Sequence, residues 1–398
     1  MRPDHRGANA PGCHAKAEVP AWERPRCGRR AKPDLPSARL SLSGRVGGGP
    51  EQQDGVARDR HEYANVRREL KTMATSLDKF ADRKPAWDTP LIVESHLNGE
   101  RTKAMNPNTP RTYDEVVEDA LRCWDAGSCA IHTHNTNFNL KGQAAVDDYK
   151  PAWDRILAAR PDMTWYPTTC NRELCTEDEH GLEHSEILNR THNVNIACID
   201  TGVNLFAFDT DAKGHIIGRE YGWNYKQVAG QVDLALAQKM SIIWGIYEPG
   251  QLKLALHYIN QGMYTPGSFI DFYLIGEYAL TSTKPIGTSG MMPTLESLYY
   301  YLDMMEELSK HKLNWCISIW GEGDRDTRAV IKRTIELGGH VKTGLELFYD
   351  PARNPTNLEL LQEVQAIAKE VGRPLATQQE AREIYGIAAQ SAKGYQPA

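Results

Sequence analysis

The sequence has no run of about 18 apolar residues, so nothing in it reads as a membrane-spanning helix. It has no excess of positive charge either. The 46 Lys+Arg stand against 52 Asp+Glu, a formal net charge of −6, and nucleic-acid binding usually shows as a basic domain. The eight cysteines, at positions 13, 27, 123, 129, 170, 175, 198 and 316, follow neither a zinc-finger nor a disulfide-framework spacing. They read as reduced thiols, and a cytoplasmic location is expected. The glycine-rich dinucleotide fingerprint is also missing: Asn98-Gly99-Glu100-Arg101, after the first apolar run, is not G-x-G-x-x-G. What remains is an ordinary globular composition, 40% apolar and 25% charged, over 398 residues. That length allows two average domains or one large α/β barrel.

Two unlike sequences share the chain. Residues 1–70 hold 12 Arg, 2 Lys, 7 Pro and 8 Gly, and 14 basic against 9 acidic side chains. Stretches such as Arg24-Pro25-Arg26-Cys27-Gly28-Arg29-Arg30 and Gly47-Gly48-Gly49-Pro50 show no apolar period. Too little surface could be buried there to offset the conformational entropy of ordering, so residues 1–72 are expected to be a disordered Arg/Pro/Gly-rich extension. A transit peptide would be acid-poor, and this segment has Asp and Glu throughout. A basic nucleic-acid arm is the other alternative. The preferred expectation is a translated upstream extension that is not native, with Met73 as the true start.

From Pro90 onward, apolar runs of strand length alternate with amphipathic stretches. The runs are Leu91–Val93, Cys129–His132, Thr164–Pro167, Val194–Ile199, Ser241–Tyr247, Phe269–Ile275, Asn314–Trp320 and His340–Leu345. Helical spacing appears over Tyr113–Ala126, Ala145–Ala159, Gln251–Gln261, Leu295–Leu308, Asp326–Leu337 and Asn357–Val371. Thr112 with Glu115 has the form of a capping box, and Gly338-Gly339 stands where a helix must stop. Eight strands in βα alternation predict one (β/α)8 TIM barrel over residues 73–398; an open doubly wound sheet is the alternative.

In such a barrel the chemistry collects at the C-terminal strand ends. His132 and His134 close the second strand two residues apart, so both side chains face the barrel mouth. An H-x-H pair needs a third ligand, and Glu346, ending the eighth strand, is a carboxylate that is costly to desolvate unless paired or metal-bound. A salt bridge to Lys342 is the bland alternative for Glu346. Two His and one carboxylate with an open position make a catalytic zinc pattern, suited to polarising a carbonyl or generating hydroxide. Glu100, Thr168, Thr169, Asp200, Thr201 and Glu248 stand at other strand ends, as does the segment Gly321-Glu322-Gly323-Asp324-Arg325. Helix caps and turn anchors account equally well for several of these.

The segments Asn98–Lys103 with Pro107 and Pro110, Ala126-Gly127 leading to Ile131–His134, Tyr247-Glu248-Pro249-Gly250, Gly338–Glu346 and Gly372–Thr377 resemble the β-keto acid cleavage enzymes, from about Pro90 to Tyr385. The resemblance implies a zinc-bearing barrel, one ion per chain on His132, His134 and Glu346, in a homo-oligomer, dimer or tetramer. It implies catalytic roles for Glu100, Thr168 and Glu248. Asn98, Thr169, Asp200 and Lys342 are the expected substrate-binding residues, with Arg101, Asn171, Arg172 and Trp320 choosing the substrate. The implied reaction is a retro-Claisen cleavage of a small-molecule β-keto acid, with acetyl-CoA as co-substrate and acetoacetate as co-product.

The sequence also departs from the family pattern. Lys342 stands for the usual Arg and Leu347 for the usual Asp that work together in the chemistry. Cys170-Asn171 replaces a Gly-Gly pair, Asn135-Thr136 replaces Arg-Asp, and Thr288–Met292 matches the glycine-rich loop only loosely. The expectation is a divergent member that keeps the metal site and changes the substrate. The alternative is a metal-dependent lyase or hydrolase acting on an oxo-acid without CoA.

Overall fold

A computed structural model describes residues 78–278, 282–322, 327–388 and 395. The expected extension 1–72, Met73, and Gly323, Asp324, Arg325 and Asp326 lie outside the described residues.

Eight parallel strands form one sheet: β1 (Val93–His96), β2 (Ala130–Thr133), β3 (Trp165–Pro167), β4 (Ile196–Asp200), β7 (Ser241–Ile246), β8 (Phe269–Ile275), β9 (Asn314–Trp320) and β10 (His340–Thr343). Their order, β3-β2-β1-β10-β9-β8-β7-β4, brings the sequence neighbours β3 and β4 to the two ends of the sheet, as in a nearly closed barrel. The strands were readable as unbroken apolar runs because a parallel sheet covered by helices is buried on both faces. The helices α1 (Tyr113–Asp125), α2 (Gly142–Ala159), α3 (Glu183–His192), α4 (Tyr225–Ala237), α5 (Pro249–Asn260), α6 (Leu295–Leu308), α7 (Arg328–Glu336) and α8 (Asn357–Val371) follow the strands, and α9 (Gln378–Ile384) ends the chain of elements. The Thr112–Glu115 capping box opens α1 as the sequence predicts.

Helices α3, α4 and α9 lie outside the stretches read from the sequence, and so does one pair of strands. An antiparallel hairpin, β5 (Val203–Thr210) with β6 (Ile216–Gly222), interrupts the alternation between β4 and α4. The Asp211 side chain closes its turn by accepting from the amides of Lys213 and His215, with Gly214 at φ +86°. Its two faces differ. Phe206 is buried, while Val203, Leu205, Ile216 and Ile217 are half to two-thirds exposed.

Alternation along each strand sends a column of polar side chains into the barrel: Glu94 and His96 from β1, His132 from β2, Tyr166 from β3, Asp271 from β8, Ser318 from β9 and Lys342 from β10, all buried. Below the mouth, Lys342 Nζ lies 2.9 Å from Asp271 and 3.7 Å from Glu94. Tyr166 and Tyr385 hydroxyls donate to the two Glu94 oxygens at 2.5 and 2.6 Å, and Ser318 donates to Asp271. Burial disfavours charge on Glu94, but Lys342, His96 and Tyr166 outweigh it and hold the carboxyl at about 2. Buried charges persist in a barrel interior when they are paired and hydrogen-bonded in this way.

Candidate active site

The register places the site's residues side by side. His96 of β1 pairs with His132 of β2, which pairs with Tyr166 of β3. After β10 the chain turns at Gly344, whose φ of +134° lets it pass close to the His96 carbonyl; a Cβ there would stand 2.2 Å from that oxygen. The turn delivers Glu346 between the imidazoles. Glu346 Oε1 is 3.2 Å from His134 Nε2, and Oε2 is 3.4 Å from His132 Nε2 and 3.6 Å from His96 Nδ1. Gly99, at φ +49°, roofs the carboxylate: a Cβ at 99 would lie 2.4 Å from Glu346 Cγ.

Several contacts orient the imidazoles. His132 Nδ1 lies 3.1 Å from the Tyr166 carbonyl, which leaves Nε2 with its lone pair toward Glu346. His96 Nε2 is 3.1 Å from the Tyr166 hydroxyl; in the tautomer that donates there, Nδ1 keeps its lone pair. Asn98 brackets His134, donating to its carbonyl and accepting from its amide at 3.1 and 2.8 Å. Burial lowers the pKa of His132 well below its ordinary value, toward the neutral form a ligand needs. Burial opposes charge on Glu346 as well, yet His134 and His132 hold its pKa well below the carboxylate range. For His96, contacts with Glu346 and Glu94 prevail over burial and raise the pKa.

The donor set fits a divalent cation. His96 Nδ1 and Glu346 Oε2 are buried without a hydrogen-bond partner, and an orphaned buried polar atom costs about 1–3 kcal/mol. His96, His132 and Glu346 offer ligand atoms that all lie within 4.8 Å of one another. His134 reaches the same carboxylate from above. His96 is the ligand candidate that sequence reasoning missed, although Glu94-Ser95-His96 repeats on β1 the alternation that made His132 and His134 visible.

A cavity of about 520 Å³, counting its open mouth, rises from this cluster. Glu100, Thr168, Thr169 and Asp200 line it together with His132, His134 and Glu346, and so does Trp320. Glu100 is held by Arg219 of the hairpin, whose Nη2 donates to both carboxylate oxygens at 2.7 and 2.9 Å.

Three expected residues sit elsewhere, each for a physical reason. Glu248 caps α5, and its Oε1 accepts from the Gly290 amide at 2.8 Å; it is not among the cavity's lining residues. Lys342 is fully buried beneath the site in its pairing with Asp271, so the Lys342–Glu346 bridge does not form, and Lys342 is not among the cavity's lining residues. Asn98 supports His134 rather than facing the cavity. Of the loop residues, Arg101 lines the cavity and donates to the carbonyls of Glu346 and Tyr278, while Arg172 pairs with Glu177. Leu347 packs in an aromatic cluster with Phe206, Tyr247, Tyr273, Ile275 and Trp320.

Comparison with known proteins covers the whole barrel. Residues 90–387 match the family model described as beta-keto acid cleavage enzyme. The chain is 26% identical over 312 residues to the 3-keto-5-aminohexanoate cleavage enzyme of Acetoanaerobium sticklandii, covering 75% of this chain and 98% of that one. It is 25% identical over 301 residues to the enzyme of the same name from Fusobacterium nucleatum, covering 75% and 98%. To the 3-oxoadipate:acetyl-CoA acetyltransferase of Cupriavidus necator it is 23% identical over 319 residues, covering 77% and 99%. Among the described residues, no helix is long and apolar enough to cross a membrane. With three quarters of its length matched and the barrel in place, the chain is an enzyme that belongs to the β-keto acid cleavage enzyme family.

Proposed function

We propose that the enzyme cleaves a β-keto acid in a retro-Claisen reaction with acetyl-CoA. The bond between C2 and C3 breaks, the acyl fragment leaves on the CoA sulfur, and the two-carbon remainder carries the acetyl group away as acetoacetate. The observation that carries this reading is the convergence of His132, His134 and Glu346, with His96, at the floor of a cavity that also holds Glu100 and Thr168. His132, His134 and Glu346 would hold a divalent ion, zinc by the nature of the N and O donors, with His96 as a further donor. When bound, such an ion supplies Lewis-acid stabilisation of the charge that develops as the C–C bond breaks.

The chain's own residues supply the rest. Glu100 is the carboxylate on the cavity wall that takes the C2 proton, and Arg219 orients it. Thr168 and Thr169 offer hydroxyl donors to the oxo-acid's oxygens. His96 is fixed from below by Tyr166, so the floor does not shift as charge develops above it. A cytoplasmic location and a homo-oligomeric state go with this reading, the second tested by light scattering on the eluting protein.

The buried Lys342–Asp271 pair and the apolar Leu347 support a second reading, cleavage of an oxo-acid without CoA. One assay separates the two: β-keto acids incubated with and without acetyl-CoA, following acyl-CoA and acetoacetate. Formation of both products only when acetyl-CoA is present bears out the first reading. Release of free acids in its absence overturns it.

A further inference from the structure

The loop that leaves β3 holds two thiols in contact. Residues Arg172–Leu174 make a single 3₁₀ turn, which brings Cys175 back to Cys170 with their sulfurs 2.8 Å apart. The backbone fixes both ends: the Cys170 amide donates to the Gly181 carbonyl at 2.9 Å, and the Cys175 amide to the Arg172 carbonyl at 3.0 Å. The Asn171 side chain starts the turn by accepting from the Glu173 amide. Lys141, just before α2, donates to the Leu174 carbonyl at 2.8 Å and to both Glu179 oxygens at 2.7 Å, which pins the turn from the other side. Thr168 and Thr169 of the cavity wall directly precede Cys170.

Two sulfurs this close need to move by less than about 1 Å to become a disulfide. They are also chemically unequal. The hydrogen bond from Cys170 lowers the pKa of Cys175 against burial and the charges of Glu183 and Glu179, with Lys141 helping, and the same contact raises that of Cys170. Cys175 is the thiolate side of the pair, 9% exposed beside Thr176, Glu177 and Asp178, which face solvent. The other cysteines among the described residues differ. Burial pushes Cys123 and Cys129 up to about 12, and Cys198 and Cys316 well above the ordinary thiol range, so these four stay protonated.

We propose that Cys170 and Cys175 are a redox-active dithiol, a modification site that hydroperoxides convert to a reversible disulfide. The Cys175 thiolate attacks one oxygen of hydrogen peroxide; the O–O bond breaks, hydroxide leaves, and Cys175 becomes a sulfenic acid. The Cys170 sulfur then attacks the Cys175 sulfur, the S–O bond breaks, and a second hydroxide leaves. The two protons of the thiols join the two hydroxides as two waters, and the peroxide takes the two electrons that the sulfurs give up. A thiol reductant reverses the bond by exchange. The disulfide closes a ring over residues 170–175, directly after Thr169. The proposal does not depend on which reaction the barrel catalyses.

The test exposes the full-length enzyme, reduced and then freed of reductant, to hydrogen peroxide. Remaining thiols are blocked with iodoacetamide in denaturant, and the chain is cut with trypsin without reduction. Trypsin cuts after Arg172, between the two cysteines, so the disulfide should appear by mass spectrometry as peptide 156–172 joined to peptide 173–190. The joined species should vanish on treatment with dithiothreitol, and Cys123, Cys129, Cys198 and Cys316 should be recovered alkylated. In Cys170→Ser, Cys175 should stop at the sulfenic acid and be trapped by dimedone; in Cys175→Ser, Cys170 should stay a thiol. Linkage should form about tenfold or more faster in the folded enzyme than in the same chain unfolded in urea, because the fold holds the sulfurs together. Recovery of the two peptides unjoined after peroxide overturns the site, and so does linkage that is as fast in urea as in the folded enzyme. Both of these readouts use the wild-type chain, so they stand however either variant folds.

Discussion

The two walls of the cavity are built differently. The metal wall comes from β1, β2 and the turn after β10, adjacent strands whose register sets His96, His132 and Glu346 within contact of each other. The facing wall comes from β4, β7, β8, β9 and a hairpin that is no part of the barrel sheet. One wall is a set of candidate ligands fixed by sheet geometry, and the other is a set of rings and a carboxylate fixed by packing. On the proposed function, changes on the first wall should abolish the reaction, and changes on the second should alter it less.

The largest expected effect is on the metal wall. His132→Ala and Glu346→Gln should each remove most of the divalent metal from purified enzyme, about one ion per chain by elemental analysis in the wild type. They should lower kcat/KM by about 10³-fold or more, since several kcal/mol of charge stabilisation goes with the ion. Full metal content in both variants would remove the distinction between the walls. His96→Ala measures whether the wall has three ligands or four: a metal affinity about 10–100-fold weaker marks an orienting or auxiliary role, and complete loss marks an essential ligand.

Next comes the layer on which the metal wall rests. Lys342→Met leaves Asp271 and Glu94 buried without their shared cation and should cost about 3–5 kcal/mol in denaturant unfolding. A neutral result would mean that the floor does not depend on this ion pair.

How much of the two walls could be read in advance follows from the same difference. His132, His134 and Glu346 were legible because they end apolar runs, and a polar side chain breaking such a run is conspicuous. His96 was not, because Glu94 and Ser95 precede it and the run Leu91–Val93 had already ended. The hairpin was invisible for the opposite reason. Its outer face carries Leu205 and Ile216 in water while Arg219 and Tyr221 serve the site, so its polarity follows no core-facing period. Its one clear signal was the turn Asp211-Ala212-Lys213-Gly214. The roles of Glu248 and Lys342 were not readable from the sequence because they depend on contacts across distant strands, Gly290 for one and Asp271 for the other.

Smaller effects sharpen the second wall. Burial raises the carboxyl of Asp200 to about 6, against the hydrogen bond from Tyr221 and the charge of Lys342, with Asp271 adding to the rise. Below that pH Asp200 carries its proton and no charge. Arg219→Ala frees a part-buried Glu100 and should cost no more than about 1 kcal/mol in stability, with the loss appearing in kcat instead. Leu205→Ser, on the exposed outer face of the same hairpin, should change stability by less than about 0.5 kcal/mol and leave kcat/KM unmoved.

The glycine that roofs Glu346 limits how this enzyme can be altered. Position 99 combines a left-handed backbone with no room for a methyl group above the carboxylate, so nineteen of the twenty side chains are closed to it by single substitution. Its neighbour Glu100 faces the cavity and is free of that constraint. In a mutational library, position 99 should be nearly silent while position 100 yields folded variants with altered turnover. Reengineering of the catalytic end would then have to start one residue beyond the loop's fixed point.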